Sequence, residues 1–178
     1  MKIQPIWSYI FDRVEPLKRS LYTILRDNPL FNTLTRRELI SLTRIVHERT
    51  YQKEEIIFQE NEIGAGMYII KNGSVRIVEK KKDEISVVLA TLNDRQFFGE
   101  LALVDNSPRM ATAVANENTE IIGFYQPDLM ELLERNPRMG SKILFKLVQF
   151  MGMRLKTNNM QLRILQEKME SRKETDHA

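Results

Sequence analysis

The chain has 178 residues, and its 27 basic and 24 acidic residues are interspersed, which leaves a formal net charge of +3. Hydrophobic residues make up 42% of the sequence, enough for one domain with its own core. The low net charge gives little support to nucleic-acid binding, and the absence of cysteine excludes disulfides, iron–sulfur clusters and thiolate metal sites.

The sequence carries no sign of a membrane span or a secretion signal. No apolar stretch approaches the ~20 residues needed to cross a bilayer. The apolar run at the N-terminus is broken by Gln4 and Pro5 and holds a single lysine, which is unlike a signal peptide. Together with the absence of cysteine, this predicts a cytoplasmic protein.

Residues 1–30 are predicted to form a helical extension. Ile6, Ile10 and Val14 recur every four residues, which indicates a short amphipathic helix. Trp7 and Tyr9 would suit a membrane surface contacted by residues 3–14, but few basic residues accompany them, which favours a helix packed on its own domain. A second helix is expected to begin at Pro16 and to end at residues 27–29.

A third helix is predicted from the capping box formed by Thr35 and Glu38. Its apolar face continues to about His47. A lone histidine at the end of a helix usually complements the helix dipole, and this interpretation is preferred to a ligand or pH-sensor role for His47.

After residue 51 the pattern changes to short strands, predicted at 55–58, 67–70, 74–78, 85–92, 111–115 and 120–125. The pair Asn72 and Gly73 is the strongest hairpin signal, and the lysines at 80–82 suit a solvated hairpin tip. The glycines Gly64 and Gly66 lack the strand-then-helix context of a dinucleotide-binding loop. Many closely spaced short strands suggest an antiparallel β-roll, that is, a double-stranded β-helix or jelly roll.

The C-terminal third is predicted to be helical. A helix begins at Gln126 and is interrupted at Asn136 and Pro137, and Ser141 is then expected to cap a long helix running to about Lys168. Its apolar seam is near a heptad repeat with one stutter. The seam comprises Leu144, Leu147, Met151, Leu155, Asn158, Leu162, Leu165 and Met169.

The predicted organisation is therefore an α+β fold: a β-roll with N-terminal helices and a long C-terminal helix. The boundaries are an N-terminal extension at 1–30, the β-roll with flanking helices at 31–135, the long helix at 136–170 and a polar tail at 171–178.

The stretch from Phe98 to Ala115 carries the strongest functional signal. A short helix that begins at Gly99 would present free N–H groups to an anion, and the turn at residues 105–108 returns Arg109 to the same place. The guanidinium of arginine is well suited to phosphate, and Glu100 can accept hydrogen bonds from hydroxyls. A phosphate beside a vicinal hydroxyl group is typical of a nucleotide.

This stretch resembles the phosphate-binding cassette of cyclic-nucleotide-binding domains, which occur in catabolite-activator-type transcription factors, kinase regulatory subunits and nucleotide-gated channels. The resemblance extends to residues 68–77 and covers roughly residues 30–160. It implies that Glu100 accepts the ribose 2′-hydroxyl, that Arg109 binds the cyclic phosphate, and that the N–H groups of Ala102 and Met110 complete the phosphate shell. The ligand-binding residues it implies are Gly99, Glu100, Leu101, Ala102, Pro108, Arg109, Met110, Ala111, Asn158 and Asn159.

Two positions depart from the family pattern. Glu54 and Asn61 stand where the family often has turn glycines; Asn tolerates the left-handed conformation, whereas Glu54 is expected to form a different turn. Asn158 and Asn159 align with purine-contacting positions of the catabolite activator, but an Asn in an apolar seam can also simply set the register of a coiled coil.

The resemblance implies a cyclic-nucleotide sensor that moves its C-terminal helix when it binds its ligand. This movement would signal to a downstream protein whose identity is unknown. Cyclic AMP is the expected ligand and cyclic GMP the alternative, because Met110 lacks the hydroxyl with which the family often holds the guanine amino group. The alternative is a degenerate fold that binds nothing and serves dimerisation or docking. A homodimer through residues 144–169 is expected.

Other functions are disfavoured by the sequence. A catabolite-activator-type transcription factor needs a helix-turn-helix, and only some ten residues follow the long helix, so DNA binding is not expected unless the chain is truncated. An enzyme is not expected either: the only histidines are His47 and His177, and no nucleophile–base pair or metal-ligand set is visible.

Overall fold

The structure is a computed structural model that describes residues 21–80 and 86–176. The predicted helix at the N-terminus, its membrane or docking role, the lysines at 81–82 and His177 lie outside the described residues. The described part comprises two antiparallel sheets with helices before and after them, which confirms the predicted fold class.

Four α-helices flank the sheets in the described part of the chain. Helix α1 covers residues 21–27, α2 covers Arg36–Leu42, α3 covers Gln126–Arg135 and α4 covers Pro137–Asp176. The capping box at the start of α2 is confirmed: the Glu38 N–H donates to Thr35 Oγ1 at 3.3 Å, and the Thr35 N–H donates to Glu38 Oε2 at 2.7 Å.

Helix α2 ends at Leu42, not near His47 as the sequence predicts. His47 instead begins strand β1, His47–Tyr51, whose backbone pairs with the last strand of the β-roll. The expected dipole role of His47 is therefore wrong. Its imidazole lies 3.5 Å from the carboxylate of Asp128 at the start of α3.

Each sheet has four strands. Their bounds are β1 His47–Tyr51, β2 Ile56–Phe58, β3 Gly66–Asn72, β4 Ser74–Lys80, β5 Ser86–Asn93, β6 Phe97–Phe98, β7 Thr112–Ala115 and β8 Thr119–Tyr125. The strand orders are β1-β8-β3-β6 and β2-β7-β4-β5, and every pair is antiparallel. Strands β1 and β6 were not predicted.

The turn at Asn72 and Gly73 does not form the predicted hairpin. Strand β3 pairs with β6 and β8, whereas β4 pairs with β5 and β7, so the turn carries the chain from one sheet to the other. Gly73 has a φ of +98°, and a Cβ there would lie 2.7 Å from Thr119 Oγ1. The tight turn explains the glycine, but the pairing of the strands depends on distant residues.

Three described residues other than glycine adopt the left-handed conformation: Glu54, Asn61 and Arg95. Asn61 has a φ of +67°, which fits its expected tolerance. Glu54 has a φ of +66°, so the prediction of a different turn at Glu54 is wrong. The Glu54 N–H donates to Ala115 O at 2.8 Å, and its carboxylate accepts from Arg76 Nη2 at 2.6 Å; these bonds hold the strained residue in place.

The core has two parts. One lies between the two sheets and is built from β-strand residues such as Ile70, Val75 and Ile121. The other lies between one sheet and the helices, and it includes Leu25, Phe31 and Leu147, all fully buried. The second part fixes α4 next to the roll.

Helix α4 differs from the prediction in its start, its end and its faces. It begins at Pro137, with the Asn136 side chain accepting from the Met139 N–H at 3.3 Å, so Ser141 is not the cap. It runs to Asp176, beyond the predicted end and into the predicted polar tail. Proline suits the first turn of a helix, where its missing N–H costs nothing.

The first half of the predicted seam faces the chain's own core. Leu147 is fully buried, and Leu144 and Met151 pack against the same core. The second half of the predicted seam is exposed and continues a stripe, the α4 stripe, whose side chains are all more than half exposed and spaced by three or seven residues. The stripe comprises Phe145, Val148, Leu155, Leu162 and Met169. The side chain of Leu165 lies outside the described ones.

Candidate functional site

A cavity of about 650 Å³ opens beside the roll, between the segment 97–111, strands β4 and β5, and helix α4. Its volume is in the range typical of small-ligand sites. Eight of the predicted site residues line it: Gly99, Glu100, Leu101, Ala102, Pro108, Arg109, Met110 and Ala111. The predicted purine contacts, Asn158 and Asn159, are exposed on α4 and do not line the cavity within one chain.

Arg109 is the central cation of the cavity wall. It is only 8% exposed, and its guanidinium donates to two backbone oxygens: Nη1 to Gly99 O at 3.0 Å and Nη2 to Gly66 O at 2.7 Å. Its Cζ lies 4.1 Å from the centre of the Phe58 ring and 5.7 Å from that of Tyr68, which are cation–π distances. These contacts fix the guanidinium in one orientation.

The charge of Arg109 has no carboxylate partner in the described part of the chain. Glu100 and Glu62 act on it only at a distance. Burial lowers the pKa of Arg109 from its ordinary value, against the opposing effects of Tyr68 and Glu100. Because arginine stays protonated in proteins, a buried cation held by neutral groups is a site prepared for an anion.

Backbone pairing delivers Arg109 to this position. The Arg109 N–H donates to Glu62 O and the Asn61 N–H donates to Arg109 O, both at 2.8 Å, so the residue is tied to the segment before β3. The preceding turn is closed by Asp105, whose carboxylate accepts from the Ser107 N–H at 2.9 Å. The predicted turn at residues 105–108 is thus confirmed.

Two glycines leave room for the guanidinium, and a third supplies a carbonyl to it. A Cβ on Gly64 would lie 2.5 Å from Ala102 Cβ and 3.1 Å from Arg109 Cζ. Gly99 has a φ of +72°, and a Cβ there would lie 2.6 Å from Arg109 Nη1. Gly66 supplies the carbonyl that Nη2 contacts. The role of Gly64 and Gly66 was missed because it depends on residues 38 or more positions away.

The short helix after Gly99 is a four-residue 3₁₀ helix, Glu100–Leu103. The Ala102 N–H, predicted as a phosphate donor, donates within this turn to Gly99 O at 3.2 Å. Met110, the other predicted donor, lies at the rim with a side chain that is 78% exposed. Of the predicted phosphate contacts, Arg109 is therefore the one whose side chain is buried and held in place.

Glu100 connects the cavity to helix α4. The residue is 4% exposed, and its carboxylate accepts a hydrogen bond from Arg154 Nη1 of α4. The Arg154 guanidinium also lies 5.6 Å from the centre of the Phe97 ring. Arg154 is a cavity residue that sequence reasoning did not select; only its position one turn before Asn158 pointed to it.

A family profile described as "Cyclic nucleotide-binding domain" matches residues 48–136, half of the chain. The chain belongs to the cyclic nucleotide-binding domain family. Arg109 and Glu100 thus lie within the matched region of a known nucleotide-binding fold, and the resemblance drawn from the cassette is confirmed.

The similarity extends to regulators of two kinds. This domain is 28% identical over 141 residues to the Cyclic AMP receptor protein of Thermus thermophilus, covering 79% of this chain and 63% of that protein. It is 31% identical to the cAMP-dependent protein kinase type II regulatory subunit of Drosophila melanogaster, covering 65% of this chain and 31% of that protein. The chain therefore spans less than two thirds of the length of these relatives.

A solved structure shows the same fold with a ligand. The regulatory domain of Toxoplasma gondii PKA, crystallised with cAMP, aligns with a TM-score of 0.60 and 26% identity, over 66% of this chain and 44% of that one. Relatives of this domain therefore bind a cyclic nucleotide.

Two further features bear on the site. Within residues 21–80 and 86–176, no group of three or more His, Cys, Asp or Glu side chains could hold a metal ion. None of the helices described there is both long and apolar enough to cross a membrane.

Proposed function

We propose that this domain is a regulatory module that binds a 3′,5′-cyclic nucleotide, cyclic AMP or cyclic GMP, in the cavity. The observation that carries the proposal is Arg109, a buried cation fixed by two carbonyl oxygens and lacking a carboxylate partner in the described structure. A cyclic phosphate carries one negative charge and two free oxygens, which match the fork of a guanidinium.

The second polar group of the cavity suits the sugar. The cyclic phosphate leaves the ribose 2′-hydroxyl as the only free hydroxyl of the ring, and a buried carboxylate such as Glu100 accepts from it. Retention of both Glu100 and Arg109 argues against the degenerate alternative, since a buried charge without a ligand to meet is costly.

Helix α4 is the element proposed to report the ligand. Arg154 of α4 contacts the carboxylate that the ribose hydroxyl would contact, so a nucleotide changes the environment of this ion pair. A ligand shifts a conformational equilibrium only by the difference in its affinity for the two states. Contact with Glu100 and Arg154 gives the nucleotide such a difference when α4 moves.

We also propose a homodimer through α4, within the predicted range 144–169. The support is the α4 stripe, which begins at Phe145 and is too long to be covered by the domain's own roll. Asn159 is exposed and lies on the same heptad register as Leu155 and Leu162, so it would face a second copy. A catalytic role is not proposed: His47 contacts Asp128 and Tyr125 and does not line the cavity.

Isothermal titration calorimetry of the purified chain tests the ligand directly. Cyclic AMP and cyclic GMP are titrated, with 5′-AMP as the control that keeps the base and opens the phosphate ring. We expect one site per chain for a cyclic nucleotide and much weaker binding of 5′-AMP, whose extra charge and free 3′-hydroxyl do not fit the same cavity. Absence of heat with both cyclic nucleotides would contradict the proposal.

A further inference from the structure

Four charged side chains line the cavity, and three of them have partners. Glu100 and Arg154 pair with each other, and Arg109 is bonded to two carbonyls. The fourth is Glu79, which is partly buried and forms no hydrogen bond or ion pair with the described residues. A carboxylate without a partner is unexpected in the wall of a cavity that is proposed to bind an anion.

The sheet register places Glu79 beside the cassette. Strand β4 pairs with β7 so that Val78 lies opposite Thr112, and Glu79 therefore lies next to Ala111, two residues beyond Arg109. Ile77, on the same face of β4 as Glu79, also lines the cavity. The carboxylate is thus built into the wall by a paired strand rather than by a loop.

The chemistry of a carboxylate limits what it can contact. An ionised carboxylate only accepts hydrogen bonds, and it repels phosphate. The phosphate is assigned to Arg109 and the ribose hydroxyl to Glu100. The remaining donors of a cyclic nucleotide are N–H groups of the base.

We infer that Glu79 reads the base of the nucleotide, accepting hydrogen bonds from the N1–H and 2-amino groups of guanine; this inference rests on the proposed function. Guanine presents these two donors side by side, which match the two oxygens of one carboxylate. Adenine presents one amino group beside the lone pair of its N1, which repels a carboxylate.

Glu79 therefore opposes the preference for cyclic AMP predicted from Met110. Met110 lacks the hydroxyl that would form one neutral hydrogen bond with the guanine amino group. Glu79 instead offers charge-assisted hydrogen bonds to guanine, which are roughly twice as strong as neutral ones. Discrimination between the two cyclic nucleotides then depends on Glu79, and removing its charge moves selectivity towards cyclic AMP.

The test compares Glu79→Leu and Glu79→Gln with the unaltered chain, using calorimetric titration with cyclic GMP, cyclic AMP and cyclic IMP. Cyclic IMP differs from cyclic GMP only by the absence of the 2-amino group. We expect Glu79→Leu to weaken cyclic GMP binding about 10-fold or more and to leave cyclic AMP within about 2-fold. In the same Glu79→Leu variant, the tighter binding of cyclic GMP relative to cyclic IMP should disappear.

Glu79→Gln keeps the shape and one carbonyl oxygen, so an intermediate loss for cyclic GMP is expected, with an unchanged melting temperature as the check on folding. Glu134→Gln, an exposed change on α3, controls for charge alone. Equal weakening of cyclic GMP and cyclic AMP, or no change with cyclic GMP, overturns the role of Glu79. If the unaltered chain binds no cyclic nucleotide at all, the proposed function fails first and the inference with it.

Discussion

Arg109 shows how one residue determines the chemistry of the cavity. A buried guanidinium that donates to Gly99 O and Gly66 O and is covered by Phe58 keeps further N–H donors, which under the proposed function contact the phosphate. Desolvation makes such a charge-assisted contact strong, and removing it typically costs ~2–5 kcal/mol of binding free energy.

Arg109→Ala is therefore expected to weaken cyclic nucleotide binding by ~30-fold or more, measured by calorimetry. Arg109→Lys keeps the charge but loses the fork, so an intermediate loss is expected. Arg135→Ala is the control, since this arginine is exposed on α3 in a surface pair with Glu131. Unchanged affinity in a folded Arg109→Ala variant would contradict the assignment of Arg109 to the phosphate.

Gly64 allows a second prediction at this scale. A Cβ there would meet Ala102 Cβ at 2.5 Å, so Gly64→Ala should lower the free energy of unfolding by about 1–3 kcal/mol and weaken nucleotide binding. Gly152→Ala is the matched control: nothing lies within 4 Å of its added Cβ, and Ala in a helix should stabilise by about 0.5–1 kcal/mol. Urea denaturation measures both, and equal effects of the two changes would contradict the packing argument.

The residues of the cavity differ in how far the sequence reveals them. Glu100 and Arg109 stand in one contiguous stretch with a turn between them, so local chemistry points to both. Glu79 and Arg154 reach the cavity from β4 and α4, and only the sheet register and helix packing bring them there. No local pattern distinguishes either from a solvated surface residue.

At the scale of elements, Glu38 links α2 to α4. Its carboxylate accepts from the Thr35 N–H and from Lys142 Nζ, the latter at 2.9 Å. Burial acts to raise the pKa of Glu38, but the hydrogen bonds from Lys142 and Thr35 outweigh it and lower the pKa. The ionised form is therefore favoured by folding.

Because the folded pKa of Glu38 lies below its ordinary value of 4.5, its stabilisation is present above that pH and is lost as the pH falls through the folded pKa. Glu38→Ala should lower the free energy of unfolding by about 1 kcal/mol near neutral pH, mostly through the lost cap, and the difference should shrink below about pH 4. Urea denaturation across this range measures it. Glu131→Ala, in an exposed pair, should change little. If the free energy of unfolding differed by the same amount between Glu38→Ala and the unaltered chain at all pH values, the charge of Glu38 would not contribute to stability.

The elements also show why some predictions were wrong. The helical pattern continues past Leu42, but residues 47–51 pair with β8, and that long-range pairing decides their conformation. Asn72 and Gly73 do form a tight turn, yet the strands on its two sides join different sheets. Local signals predict turns and helix starts well; they do not determine which strands pair.

At the scale of the whole molecule, the α4 stripe predicts association of two copies. Replacing Leu155 and Leu162 by Glu should convert a dimer to a monomer in light scattering, because like charges would meet along the paired α4 stripes. Thr157→Glu with Gln161→Glu places the same charges on exposed positions off the stripe and should leave the dimer intact. A chain that is already monomeric at ~100 μM would contradict the dimer.

We propose above all that a cyclic nucleotide binds at Arg109 and is sensed by α4. Amide hydrogen exchange of the unaltered chain, with and without saturating cyclic AMP or cyclic GMP, tests both parts in one measurement. We expect slower exchange in residues 99–111, where the phosphate and ribose contacts form, and a change in residues 145–165, which follow Glu100 through Arg154. Unchanged exchange in both segments at saturating nucleotide would contradict the claim.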